Sequence, residues 1–144
     1  KTVLQSGKLV LIAHEENPPN AEIFKLKSIK EEPFIKIKNL KTNQTQNNLD
    51  EVIKQLGISI NWIAETETIQ VAKAMVEKGS GYSIIDDFSA KIYGDKISIH
   101  EIEPEIGYQI CMISNKEKPL SVKAQSFIIY LENLAGNINK FVEG

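Results

Sequence analysis

Three short stretches carry residue types that could do chemistry. Asp86-Asp87 sets two carboxylates side by side. Adjacent side chains point in different directions, so the pair makes a poor acid–base dyad. At least one of them fits better as a helix cap, its oxygen accepting backbone N–H groups that a first helical turn leaves unpaired. The segment Lys38 to Asn48 is polar and rich in Asn, Gln and Thr. Lys38, Asn39 and Thr42 offer side-chain donors there, and the N–H groups that open the following helix suit an anion such as a ligand carboxylate. A plain solvated connection is the competing reading of that stretch. Gly79-Ser80-Gly81 has G-x-G spacing, but it follows a helix and precedes a strand, the reverse of a dinucleotide site. A tight helix-to-strand turn using positive φ accounts for it.

Catalytic patterns are missing. The chain has no G-x-S-x-G elbow, no glycine-rich phosphate loop ending in Gly-Lys, and no H-E-x-x-H helix. His14, His100 and Cys111 lie far apart and form no zinc pattern, so no metal or cofactor is expected. Both histidines read as surface or hydrogen-bonded positions. Trp62 fits an inward strand position, and packing is expected of it rather than stacking on a ligand. Cys111, within Ile110-Cys111-Met112-Ile113, reads as a buried thiol serving as a small hydrophobe.

The charge balance argues against direct nucleic-acid contact. The formal net charge is −2, and all 17 basic residues are lysine. Arginine's bidentate grip on guanine or phosphate is absent, and the lysines are interspersed with acids as on a solvated face. A single cysteine excludes an internal disulfide. No signal peptide is visible, and no apolar run approaches the ~18 residues of a membrane helix. A reducing cytoplasm is the simplest compartment.

Alternating elements must position these groups. Leu9 to Ala13 is a continuous apolar run, expected as a strand covered on both faces. A short turn or helix at Leu26 to Glu31 precedes a strand at Phe34 to Ile37. Leu49, Val52, Ile53 and Leu56 share one face of a helix capped by Asn47 or Asn48 and stopped by Gly57. Ile58, Ile60, Trp62 and Ala64 alternate as a strand. Ile69, Ala72, Met75 and Val76 form a second helical stripe ended by Gly79. Gly81 to Ile85 is a strand that runs into a short helix, Asp86 to Ala90, opened by an Asp cap. Ile97–Ile102 and Tyr108–Ile113 are strands, and a last helix from Ser121 carries Ala124, Phe127, Ile128, Leu131, Leu134 and Ala135 before Gly136. Strand-helix alternation implies right-handed βαβ units, hence an α/β fold with a mostly parallel sheet flanked by helices.

The order of motifs resembles that of the effector domains of LysR-type transcriptional regulators. Leu9-Val10-Leu11-Ile12-Ala13 followed by Asn17-Pro18 resembles the strand crossing into their second lobe. Glu31-Glu32-Pro33-Phe34-Ile35 resembles the strand that opens that lobe. Val76-Glu77-Lys78-Gly79-Ser80-Gly81-Tyr82 resembles their helix-to-strand passage, and Lys118-Pro119-Leu120-Ser121 with Ala124 and Phe127 the start of their last helix. Ile85-Asp86-Asp87-Phe88-Ser89-Ala90 with Ile102 to Pro104 looks closer to the branch of the lysine-biosynthesis and opine-catabolism regulators. Asp87 stands where that branch usually has proline.

The resemblance implies a Rossmann-like lobe of the type 2 periplasmic-binding-protein kind, with the first lobe incomplete. It divides the chain into a crossover strand (1–12), the second lobe (13–103), a return strand and helix belonging to the first lobe (104–136) and a tail (137–144). It implies a winged helix-turn-helix outside this chain as the only contact with DNA. It implies no enzyme activity and no membrane contact. A small amino-acid-like or carboxylate effector would lie between the lobes, held on this side by Lys38, Asn39 and Thr42, by the Thr66 hydroxyl, and by Asp86 facing an ammonium group. The last helix would lack part of its cover, favouring self-association as dimer or tetramer, and the isolated chain would bind effector weakly or not at all. A transporter's solute-binding protein shares this architecture and is the alternative; an enzyme on a related two-lobed fold would need a nucleophile or metal cluster.

Overall fold

A computed structural model of the 144-residue chain describes residues 1–38, 44–92, 96–115 and 117–142. The chain divides into two compact units, Lys8–Gly107 and Lys1–Gly7 with Tyr108–Gly144.

The larger unit is built around the second half of β1 (Thr2–His14). After it come β2 (Ile23–Lys25), a 3-10 turn (Leu26–Ser28), β3 (Pro33–Ile37), α1 (Gln44–Leu56), β4 (Asn61–Thr66), α2 (Ile69–Glu77), β5 (Tyr82–Asp86), α3 (Asp87–Ile92) and β6 (Ile97–Glu103). The strands lie in the order β2-β6-β1-β5-β3-β4. β2 runs parallel to β6, and β3 runs parallel to both β4 and β5. β1 runs antiparallel to its neighbours β5 and β6, so it separates two parallel sets. The sheet is thus mixed, an arrangement that alternation of strand and helix does not reveal.

Leu9 to Ala13 is buried throughout. Successive side chains of a strand face opposite ways, and this strand meets a core on each side. Leu9, Leu11 and Ala13 join Phe24, Leu26, Phe34, Leu49, Ile84 and Ile102. Val10 and Ile12 join Ile35, Ile37, Ala72, Val76, Ile85 and Ala90. The first face is covered by α1, whose Val52, Ile53 and Leu56 pack beside buried Leu49. The second is covered by α2 and α3. Phe34 centres an aromatic group, with Tyr82, Trp62 and Phe24 at 5.6, 6.1 and 6.4 Å between ring centroids. Trp62 therefore packs against the core as expected, with the Lys36 ammonium 5.6 Å from its ring centroid.

Several expected boundaries move. β2 was not anticipated, because three residues are too few to show a period. α1 begins at Gln44, so Asn47 and Asn48 lie inside the helix rather than capping it. Gly57 and Gly79 take positive φ (64° and 77°) at the ends of α1 and α2, as expected. His14 accepts an N–H from Glu16, and His100, whose pKa burial lowers, sits 2.8 Å from the Ser98 hydroxyl.

The smaller unit contains the opening of β1, β7 (Gly107–Met112) and α4 (Val122–Val142), with β7 paired to β1. Ser121 accepts the Ala124 N–H and caps α4 where the sequence placed its start. Gly136 does not end this helix. Gly costs a helix only about 1 kcal/mol relative to Ala, and no proline follows to stop it. Cys111 is free and only half-buried, where the apolar run predicted a buried thiol. Phe127, Ile129 and Tyr130 of α4 are each about 60% exposed, with Val122 at 79%. Among the described residues, no helix is long and apolar enough to cross a membrane.

Gly81 has a φ of 155°, and a Cβ there would overlap the Pro33 carbonyl. Gly79 has open space around it. Gly81→Ala is expected to destabilise the fold by about 2–4 kcal/mol, and Gly79→Ala by about 1 kcal/mol from its backbone conformation alone. Urea unfolding of the two variants checks this; equal losses would show that the Pro33 approach is not tight.

Candidate functional site

Three adjacent parallel strands end at one level. Ile37 of β3 pairs with Thr66 of β4, and the Lys38 N–H continues the ladder to the Thr66 carbonyl at 2.7 Å. On the other side Ile35 pairs with Ser83 of β5. Three residues further along both strands, that register sets Lys38 level with Asp86. Strands lie about 4.8 Å apart, so Thr66, Lys38 and Asp86 span a row of roughly 10 Å. It is the carboxyl edge of a parallel set, where open α/β sheets leave a crevice for ligands.

The helices begin at the same edge. Thr68 caps α2 by accepting the Val71 N–H at 3.4 Å. Asp86 accepts the Ser89 N–H at 2.7 Å and so caps α3. Asp87 accepts the Lys8 N–H at 3.3 Å, tying the start of α3 to β1. Lys8 also reaches Glu101 and Glu105 with its ammonium. The hydrogen bond to Glu101 raises the Lys8 pKa against the opposing effect of burial.

Of the five residues expected to hold a ligand, Lys38, Thr66 and Asp86 come together at this rim. Each already has a partner in the fold. The Lys38 ammonium donates to Glu67 at 3.1 Å, the buried Thr66 hydroxyl donates to the Thr68 carbonyl at 3.1 Å, and Asp86 serves as cap. The Lys38 side chain is half exposed, and its partner Glu67 more so. Asn39 and Thr42 lie outside the described residues.

A groove of about 520 Å³ adjoins the rim. Lys38, Glu67 and Thr68 border it, and it continues between α2 and α3 over the apolar side chains of Ile37, Ile69, Ala74 and Ile92. That volume suits a small organic molecule. Among the described residues, no group of three or more His, Cys, Asp or Glu could hold a metal ion.

The LysR substrate binding domain family model matches residues 1–135. The chain belongs to that family. Solved LysR structures share its fold at low identity. The regulatory domain of CcmR from Synechocystis PCC6803, solved in complex with 2-PG, is 18% identical with a TM-score of 0.74. The alignment covers 94% of this chain and 66% of that one. The effector binding domain of QuiR in complex with shikimate is 17% identical, TM-score 0.76, covering 94% and 65%. HinK, a LysR family regulator from Pseudomonas aeruginosa, is 14% identical, TM-score 0.76, covering 96% and 48%. This LysR chain therefore spans about two thirds of the first two structures and about half of the third. No curated protein matches it.

Sequence reading of this LysR domain missed the groove. Its lining comes from the flank of α2, where Lys73 and Glu77 follow Ile69 at four-residue steps. A lysine between Ala72 and Val76 of the apolar stripe was the available signal.

The cap role of Asp86 is directly testable. Asp86→Ala is expected to cost about 1 kcal/mol, and Asp86→Asn, which keeps the accepting oxygen, only a few tenths. Chemical denaturation of both checks this; an equal loss in the two would mean that charge, not capping, fixes α3.

Proposed function

We propose that this chain is the ligand-sensing part of a LysR-type transcriptional regulator, with no catalytic activity of its own. The family match over residues 1–135 carries the reading. The row of strand ends at Thr66, Lys38 and Asp86 supports it, because it gives a small effector a place to bind. The rim would form one jaw of a two-lobed clamp. A ligand carboxylate would displace Glu67 from Lys38 and meet the N–H groups opening α2, and a ligand ammonium would face Asp86. Asn39 and Thr42 would add donors. An amino acid or amino-acid conjugate fits this set, in keeping with the lysine- and opine-regulator branch. Effector binding would favour one arrangement of a dimer or tetramer, moving the DNA-binding domains on the operator in the cytoplasm. The exposed apolar face of α4 supports self-association.

The domain limits in this reading are 1–12, 13–103, 104–136 and 137–144. A transporter's solute-binding protein has no observation in its favour beyond the shared architecture.

The test uses the full-length regulator. Thermal-shift screening against amino acids, their conjugates and small organic acids identifies an effector, and operator binding is then titrated with it. Lys38→Ala is expected to raise the effector concentration for half-response about tenfold or more, while leaving effector-free operator binding intact. An unchanged response would remove the rim from the account. Sedimentation of the same protein should show concentration-dependent assembly.

A further inference from the structure

Lys73 lies midway along α2 and is only 6% exposed. Its ammonium donates to the backbone carbonyls of Ser89 at 2.8 Å and Ala90 at 3.5 Å. These belong to the last four carbonyls of α3, which a helix leaves without partners of its own. Lys73 thus closes the carboxyl end of α3, just as Asp86 closes its start.

Both acceptors are neutral. Among the described residues, Lys73 forms no ion pair with a carboxylate. Glu77 and Asp86 influence it only at longer range, and burial draws its pKa below the ordinary lysine value. A buried ammonium without a counter-charge is costly, and an anion at hydrogen-bond distance offsets much of that cost. The ammonium has three N–H groups, and among the described residues two carbonyls accept from it, which leaves one for a ligand.

Lys73 also lines the groove. It shares one stripe of α2 with Ile69 and Glu77, spaced by four residues. From the rim at Thr68 the groove follows α2 for roughly 12 Å, the length of eight helical steps. Ile37, Ile69, Ala74 and Ile92 give it apolar walls; among its described lining residues Lys73 is the buried cation, with the half-buried Glu77 one turn further along α2.

We propose that the part of the α2–α3 groove around Lys73, beyond the Lys38, Glu67 and Thr68 that border its mouth at the rim, is a second small-molecule subsite, for a monoanion with a compact apolar body. The anionic group takes the uncommitted N–H of Lys73, and the hydrocarbon covers the isoleucines. A neutral molecule of the same shape gains the apolar contact but leaves the ammonium uncompensated. Occupancy draws on the group that closes α3, so it is linked to the helix whose other end is held by Asp86 at the rim. Any effect on the rim must be reciprocal. The proposal does not require the rim to bind an effector.

The test is a titration of the chain, labelled at isoleucine methyls, with two acid–amide pairs: isovalerate with isovaleramide, and benzoate with benzamide. The acids should shift the methyls of Ile37, Ile69 and Ile92, and leave those of Ile58 and Ile60 on the opposite face unmoved. They should bind about tenfold more tightly than their amides. Lys73→Met should erase that preference. Ala74→Trp, at an exposed wall position, should fill the groove and abolish binding by the acids without disturbing the core, so the result stands even where Lys73→Met fails to fold. Equal binding of acid and amide would overturn the role of Lys73. The proposal falls entirely if neither member of either pair moves the groove methyls, or if the acids bind Ala74→Trp unchanged.

Discussion

The burial of β1 on both faces is the constraint from which the rest of the larger unit follows. Leu9 to Ala13 has no polar side, so the strand is stable only between two layers. Fully burying one Leu or Ile side chain contributes about 1.5–3 kcal/mol. Loss of one such contact is a large part of the 5–15 kcal/mol that typically holds a domain folded. The run therefore requires α1 on one face and α2 with α3 on the other. Each covering helix follows a strand in the chain, α1 after β3, α2 after β4 and α3 after β5, so each starts on the side of the carboxyl ends of those strands.

The row of strand ends is a by-product of that layering. Parallel β3, β4 and β5 end together, and α1 turns back over one face of the sheet while α2 and α3 turn back over the other. Asp86 and Thr68 sit where the chain changes from strand to helix, and capping is a demand of the backbone at that point. Residues that stabilise the turn are thereby placed where a ligand would arrive. Antiparallel β1 adds to this, since Leu9 pairs with Asp86 and the Lys8 N–H is held by Asp87. The entering strand and the start of α3 are one hydrogen-bonded corner.

Much of this fold was legible in the residues. The two-faced strand, the apolar stripe of α1, the glycine stops at Gly57 and Gly79, and the Ser121 cap all rest on local rules that the tertiary structure obeys. The direction of β1 was not legible, because hydrophobic pattern reports burial and not polarity. β2 was too short to show. Asn47 and Asn48 are good caps in isolation, but the helix continued through them to Gln44. Lys38, Thr66 and Asp86 were legible as candidates because strand ends and turn residues mark themselves. Lys73 was not, since its significance comes from two carbonyls on a different helix, sixteen and seventeen residues away. The half-buried Cys111 makes the opposite point: an apolar run does not by itself secure burial of each of its residues.

The most direct measurement of the central claim is a crystal structure of the full-length regulator with its effector bound. The account predicts effector density at the carboxyl ends of β3, β4 and β5, with the Lys38 ammonium turned away from Glu67 toward the ligand. Density lodged elsewhere, with the Lys38–Glu67 pair intact and the strand ends facing only solvent, would contradict it.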